Sequence, residues 1–124
     1  MMSAMNLAIV GSRNFNDYDE VCIGIIDTLD LWKVGINEIS TIISGGANGV
    51  DALAKKFAKE FDIPFLVFEA EWNKYGKRAG PIRNALIVNH SSHVIAFVAK
   101  DSIGTWDTIR KAQNLDLVVN VIRI

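Results

Sequence analysis

Five short apolar runs punctuate this chain at near-regular intervals, and each is followed by a segment of different character. Leu7–Val10, Pro64–Phe68 and Val94–Val98 are continuous rather than alternating in polarity, and Ile39–Ile43 and Leu117–Ile122 are interrupted only by Ser40 and Thr41 and by Asn120. That is the pattern of strands buried on both faces. Between them lie segments with helical periodicity. Tyr18, Val21, Cys22, Ile25, Ile26, Leu29 and Trp32 predict a first helix over about Tyr18–Lys33, with Asp17 and Glu20 as a capping-box start and Gly35 as its stop. Val50, Leu53, Ala54, Phe57, Ala58 and Phe61 share one face of a second helix. Ile82, Ala85 and Leu86 continue a third, opened by Pro81 and ending near His90, and Trp106–Asn114 reads as a fourth. Strands alternating with helices predict an α/β fold, a Rossmann-like doubly wound parallel sheet of about five strands with helices on both faces.

This layout says where to look for function. In doubly wound sheets, ligands bind outside the carboxyl ends of the strands. Four loops follow strands there. They carry Gly11-Ser12-Arg13, Gly45-Gly46-Ala47-Asn48-Gly49 of the stretch Ser44–Asp51, the Trp72–Arg83 region, and Gly104-Thr105 of the glycine-bearing turn Asp101–Thr105. The second is strand, glycine turn and helix in sequence, an arrangement that turns backbone N–H groups toward an anion. Its glycines read G-G-x-x-G, which is neither the dinucleotide fingerprint nor a Walker A loop. A phosphate is therefore expected on the N–H groups of Gly46–Val50, near Ser12 and Thr105, with Arg13 and Arg83 supplying charge. Asp51 reads equally as a helix-start charge or as a partner for a ribose hydroxyl. Thr105 also reads as the N-cap of the helix that follows, and Asp107 as an acid in its first turn. Trp72 and Tyr75 are core or lid residues, or stack on a base.

Composition excludes several classes. At 124 residues the chain fits one domain, taken as 1–124, and half of it is hydrophobic, enough for a core without disulfides or metal. The lone Cys22 reads as packing. A formal net charge of −1 argues against a broad surface for duplex DNA. No run reaches the ~18 apolar residues of a membrane span, and Met1–Asn6 lacks the features of a signal peptide. A cytoplasmic protein without a membrane partner is expected. His90 and His93 flank a helix-to-strand turn, on the edge opposite the proposed site, and no metal-ligand cluster is visible. Neither a metal nor another cofactor is expected. Ser12 lacks the G-x-S-x-G setting of a hydrolase nucleophile.

The ordered set Gly11-Ser12-Arg13, Ser44 through Asp51, Trp72…Tyr75-Gly76-Lys77…Ala79-Gly80-Pro81…Arg83-Asn84 and Gly104-Thr105 resembles the YspA/YpsA-related families of the SLOG superfamily. That superfamily also contains the LOG phosphoribohydrolases and the DNA-processing protein DprA/Smf. The resemblance implies a domain that binds a nucleotide or nucleotide-derived ligand, such as a nucleoside monophosphate, ADP-ribose or a nucleotide sugar. It also implies ligand-binding roles for Trp72, Arg83 and Asn84. By analogy with LOG enzymes, Arg83 and Asp107 would be the catalytic pair of an N-glycosidic hydrolase. Asp101-Ser102-Ile103 stands where LOG enzymes have P-G-G-x, and Asp107 where they have glutamate, which favours binding over hydrolysis. A DprA-like affinity for single-stranded nucleic acid ranks behind the small ligand. It rests on Lys74, Lys77 and Arg78 interleaved with Trp72 and Tyr75. A homodimer through the helices is also expected.

Overall fold

The computed structural model describes residues 4–100 and 102–124; Asp101 of the predicted fourth loop lies outside them. Five parallel strands, β1 (Met5–Gly11), β2 (Ile39–Ser44), β3 (Phe65–Val67), β4 (His93–Val98) and β5 (Val118–Arg123), form one sheet in the order β3-β2-β1-β4-β5. The helices are α1 (Tyr18–Trp32), α2 (Val50–Glu60), α3 (Trp72–Tyr75), α4 (Ala79–Asn89) and α5 (Ile103–Asn114). This is the doubly wound Rossmann-like fold that the alternation predicts.

Period-two geometry divides the core. Leu7 and Ile9 of β1 face one way and join Val21 and Ile25 of α1, Phe57 of α2, and Phe97. Ala8 and Val10 face the other way and join Ile87 of α4, Val94, and Ile109 of α5. β1 and β4 therefore have no solvated face, which is why their sequences are continuously apolar. Each fully buried aliphatic or aromatic side chain contributes about 1.5–3 kcal/mol. Among the described residues no helix is long and apolar enough to cross a membrane.

Local chemistry moves several boundaries. Asp17 caps α1 as expected, its Oδ1 accepting from the Glu20 N–H at 3.2 Å. Lys33, not Gly35, stops the helix: it adopts a left-handed conformation at φ 59°, and the following Val34 N–H reaches back to the Leu29 carbonyl. The irregular segment after β3 contains α3 and a 3-10 turn over Gly76–Arg78 that runs into α4. Pro81 is thus the third residue of α4, not the first. It is tolerated because the first four helical N–H groups have no intrahelical acceptor. Likewise α5 begins at Ile103 with Ser102 as its N-cap residue. Thr105 is inside the first turn rather than capping it, and Asp107 falls in the second turn.

His90 and His93 lie at the helix-to-strand edge, away from the strand carboxyl ends, as the topology requires. His90 Nδ1 sits 2.8 Å from the Leu86 carbonyl, and His93 Nδ1 2.8 Å from Ser92 Oγ. Burial lowers the His93 pKa. Cys22 packs at the margin of the core.

Candidate functional site

The strand order reverses between β1 and β4, and a crevice of about 330 Å³ opens there beyond their carboxyl ends. The β1 loop contributes Gly11, Ser12, Arg13 and Asn14 to its lining. The turn after β2 contributes Ala47 and Asp51, α4 contributes Arg83, Asn84 and Ile87, and the start of α5 contributes Ser102–Thr105 and Thr108. A second crevice of about 510 Å³ lies on the far side of Arg13, Ala47 and Arg83, which line both. Its other walls are Gly45, Gly46, Asn48, Glu69, Ala70 and Trp72, the last 54% exposed.

The glycine turn after β2 is satisfied from within at two of its N–H groups. The Ala47 N–H donates to Asp51 Oδ2 at 3.1 Å, and the Val50 N–H donates to the Ser12 carbonyl at 3.0 Å. Of the N–H groups expected to cradle a phosphate, those of Ala47 and Val50 are engaged, and those of Gly46, Asn48 and Gly49 meet no acceptor among the described residues. Gly49 serves the crossing of two loops: at φ 72°, a Cβ there would lie 2.3 Å from the Ser12 carbonyl oxygen. Ser44 is fully buried and donates to the Ile9 carbonyl at 2.7 Å. Ser44 and Gly49 line neither crevice. Asp51 is 7% exposed, and burial raises its carboxyl above the ordinary value; the Ala47 N–H, Ser44 and Arg83 oppose that rise.

The first turn of α5 is different. Ser102 makes no side-chain cap bond to it; its hydroxyl instead accepts from the Ala99 N–H at 2.9 Å. Among the described residues, no hydrogen-bond acceptor meets the N–H groups of Ile103, Gly104 or Thr105. All three residues line the first crevice. The positive end of a twelve-residue helix thus faces it.

Arg83 stands between the two crevices. Its Nη1 donates to the Gly45 carbonyl at 2.7 Å, and its Nε donates to Asn84 Oδ1 at 3.0 Å. Burial lowers its pKa; Asp51 opposes that and Arg13 reinforces it, yet a guanidinium stays charged. Asn84 donates in turn from Nδ2 to Asp107 Oδ2 at 3.0 Å and to the Gly104 carbonyl at 3.2 Å. Those two acceptors fix the amide so that its oxygen faces Arg83. Lys111 Nζ holds both Asp107 oxygens at 2.7 Å. Burial pushes the Asp107 carboxyl up, but Lys111 and Asn84 outweigh this and keep it below the ordinary value. Asp107 lines neither crevice; it stands behind Asn84 and orients it.

The first crevice therefore gathers Gly11, Ser12, Arg13, Ala47, Asp51, Arg83, Asn84, Gly104 and Thr105 from the sequence-predicted set. The second gathers Gly45, Gly46, Asn48 and Trp72. Asn14, Glu69, Ser102 and Thr108 line the crevices without having been expected. Thr108 sits one helical turn beyond Gly104, and reading the helix start at Ile103 would have found it. Glu69 stands two residues past the end of β3, on a loop at the binding edge of the sheet.

A doubly wound domain with a crevice lined by two arginines and a helix start at its topological switch point is the class that fold and site define. The chain belongs to the YspA, cpYpsA-related SLOG family, whose model matches residues 5–75. It is 31% identical over 117 residues to the Gene 61 protein of Mycobacterium phage D29, covering 90% of each chain. Its fold is similar to that of DNA processing protein A (DprA) from Streptococcus pneumoniae, with a TM-score of 0.72 and 21% identity over 95% of this chain. It is also similar to DNA processing protein A from Helicobacter pylori, whose structure concerns its single-stranded DNA binding mode. There the TM-score is 0.63, with 24% identity over 94% of this chain. This chain spans 50% and 64% of the length of those two proteins.

Proposed function

We propose that residues 1–124 form one cytoplasmic domain that binds a phosphate-bearing nucleotide or nucleotide-derived ligand. The phosphate would sit at the first turn of α5, between Arg13 and Arg83. The observation that carries this is the convergence of a helix start whose N–H groups meet no acceptor among the described residues, and two arginines, on one crevice at the β1/β4 reversal. Ser12, Asn14 and Thr108 would add hydrogen bonds. The second crevice would take the remainder of the ligand, with Trp72 as a stacking face. Cleavage of the N-glycosidic bond is the weaker reading of the same site, because the Asp107 carboxylate is engaged by Lys111 and Asn84.

Calorimetric titration with AMP, ADP-ribose and nucleotide sugars tests this reading. Binding is expected for at least one of them in the wild type and for none in Gly104→Trp. Gly104 lines the crevice and a Cβ there meets nothing within 4 Å, so the larger side chain starts from open space, and an unchanged unfolding midpoint is the control. Absence of heat with every ligand overturns the reading.

A second reading is single-stranded DNA along the same edge. It is supported by the fold shared with a DNA processing protein A whose structure concerns that binding, and by the exposed Trp72 beside Lys74 and Lys77. Fluorescence anisotropy with a labelled oligonucleotide should then show a steep loss of affinity between 50 and about 200 mM salt. A flat salt response counts against it.

A further inference from the structure

Away from the crevices, a third concavity of about 640 Å³ runs between α1 and the outermost strand, β5. On one face β5 is packed by α5. On the other it meets α1: Asn120 Nδ2 donates to Thr28 Oγ1 at 2.8 Å, and a Cβ on Gly24 would lie 3.0 Å from Ile122 Cδ1. The groove is lined mainly by apolar groups, with Ile122 and Ile124 along its floor and Ile23 and Leu31 along its α1 rim. Leu31 is 67% exposed and Ile23 55%, large values for aliphatic side chains on one helix. They stand eight residues apart, or about 12 Å along the helix axis. That span is a little over two turns of a helix laid beside them, about the reach of anchors at i, i+4 and i+7.

The charge around this groove has one sign on the helix side. The charged residues of α1 are Asp19, Glu20, Asp27 and Asp30, with no lysine or arginine among its fifteen residues. Glu20 and Asp27 line the groove itself. The cation on the opposite rim, Arg123, has its guanidinium 5.6 Å from the Trp106 ring centroid, toward the other face of the sheet. A second copy of this chain fits poorly. An antiparallel α1–α1 contact that pairs Ile23 with Leu31 is centred on Asp27, so it would press two aspartates together at the axis. An occupant that satisfies the groove must supply apolar side chains at helical spacing together with lysines or arginines.

We propose that the α1/β5 groove docks a basic amphipathic helix of a partner protein. Aliphatic residues of that helix fill the space between Ile23, Leu31 and Ile122, and its basic residues pair with Glu20 and Asp27. Apolar burial supplies the affinity, while the acids select the sign of the partner and set its orientation. The site lies outside the nucleotide crevices and shares no lining residue with them.

The test uses the full chain and a fluorescein-labelled synthetic helix with leucines at i, i+4, i+7 and i+11 and lysines elsewhere. A second peptide carries glutamates in place of the lysines. The lysine peptide is expected to bind at least tenfold more tightly than the glutamate peptide, and to weaken at higher salt. Leu31→Ser should reduce its binding at least fivefold. Glu20→Lys with Asp27→Lys should reverse the preference between the two peptides. All these positions are exposed, so the unfolding midpoint should change little, and a variant with a shifted midpoint is replaced by Ile23→Ser. Amide shift changes should be confined to α1 and β5. Equal binding of both peptides overturns the proposal, as do binding that ignores the substitutions or shift changes centred on Arg83. A concentration-dependent dimer by light scattering that Leu31→Ser dissolves also overturns it, by giving the groove to a second copy.

Discussion

Two turns follow strands on the carboxyl edge of the sheet, and they use their N–H groups differently. Ser44–Asp51 has three glycines, an asparagine and a first-turn acid, and reads as an anion cradle. In the folded chain its Ala47 and Val50 N–H groups bond to Asp51 and Ser12. Ser102–Thr105 has one glycine and little else to attract notice, yet its first-turn N–H groups line the crevice with no acceptor among the described residues. A glycine-rich turn can be needed because two loops must cross closely, as Gly49 and Ser12 do. Three N–H groups remain without an acceptor among the described residues in each turn: Gly46, Asn48 and Gly49 in the first, Ile103, Gly104 and Thr105 in the second.

The contrast can be broken most forcefully at the two glycines. Gly49→Ala forces a side chain into a left-handed conformation and against the Ser12 carbonyl, and should cost about 2–3 kcal/mol in urea denaturation. Gly104→Ala meets nothing and sits in a helix, so it should be neutral or stabilising by up to about 1 kcal/mol. If both behave alike, the contrast is wrong.

Next comes Arg83→Gln, which removes the charge shared by both crevices. Calorimetry should show a ten- to hundredfold loss of nucleotide affinity, about 1.4–2.7 kcal/mol. A smaller effect is expected for Asp107→Asn, which frees the Asn84 amide to turn over. A three- to tenfold loss of affinity should be recovered in part by Asp107→Glu, a pattern that a carboxylate acting on the ligand itself would not share with ligand-free stability.

The gentlest test is a slope. Burial holds the Asp51 carboxyl above its ordinary 3.8, so the folded state binds that proton more tightly than the unfolded chain. Its contribution is greatest below 3.8 and is lost as pH rises through the raised value. The stability of wild type relative to Asp51→Asn should therefore fall across that window and then level off. A difference that grows with pH would mean that the Ala47 and Ser44 bonds outweigh burial.

The fold was legible because its causes are local. β1 and β4 are buried on both faces, and their continuous apolar runs say so. The edge on which a site must lie also followed from alternation and handedness alone. The details that failed depend on partners distant in sequence. Nothing near Gly49 reveals that Ser12 will cross it, or that the Val50 N–H will be used there. Lys33 ends α1 in a conformation that its residue type does not advertise. The beginning of α5 was misplaced by three residues because Gly104 looked like a turn, and Thr108 was missed with it. Asp107 was read by its distance from Gly104-Thr105. Its neighbours Lys111 and Asn84, one on its own helix and the other on α4, give it a supporting position instead.

Arg83 carries one more consequence. A guanidinium has five N–H donors, and the Gly45 carbonyl and Asn84 take two of them. The three that remain must serve both crevices, since Arg83 lines each. Two separate anionic occupants would share one positive charge and repel each other across it, and linkage requires that each weaken the other equally. Saturating the chain with an oligonucleotide should then lower its affinity for AMP, and Arg83→Gln should abolish that antagonism along with most of the binding. A single ligand that spans both crevices would meet no such conflict, and the arginine between them would act as its hinge.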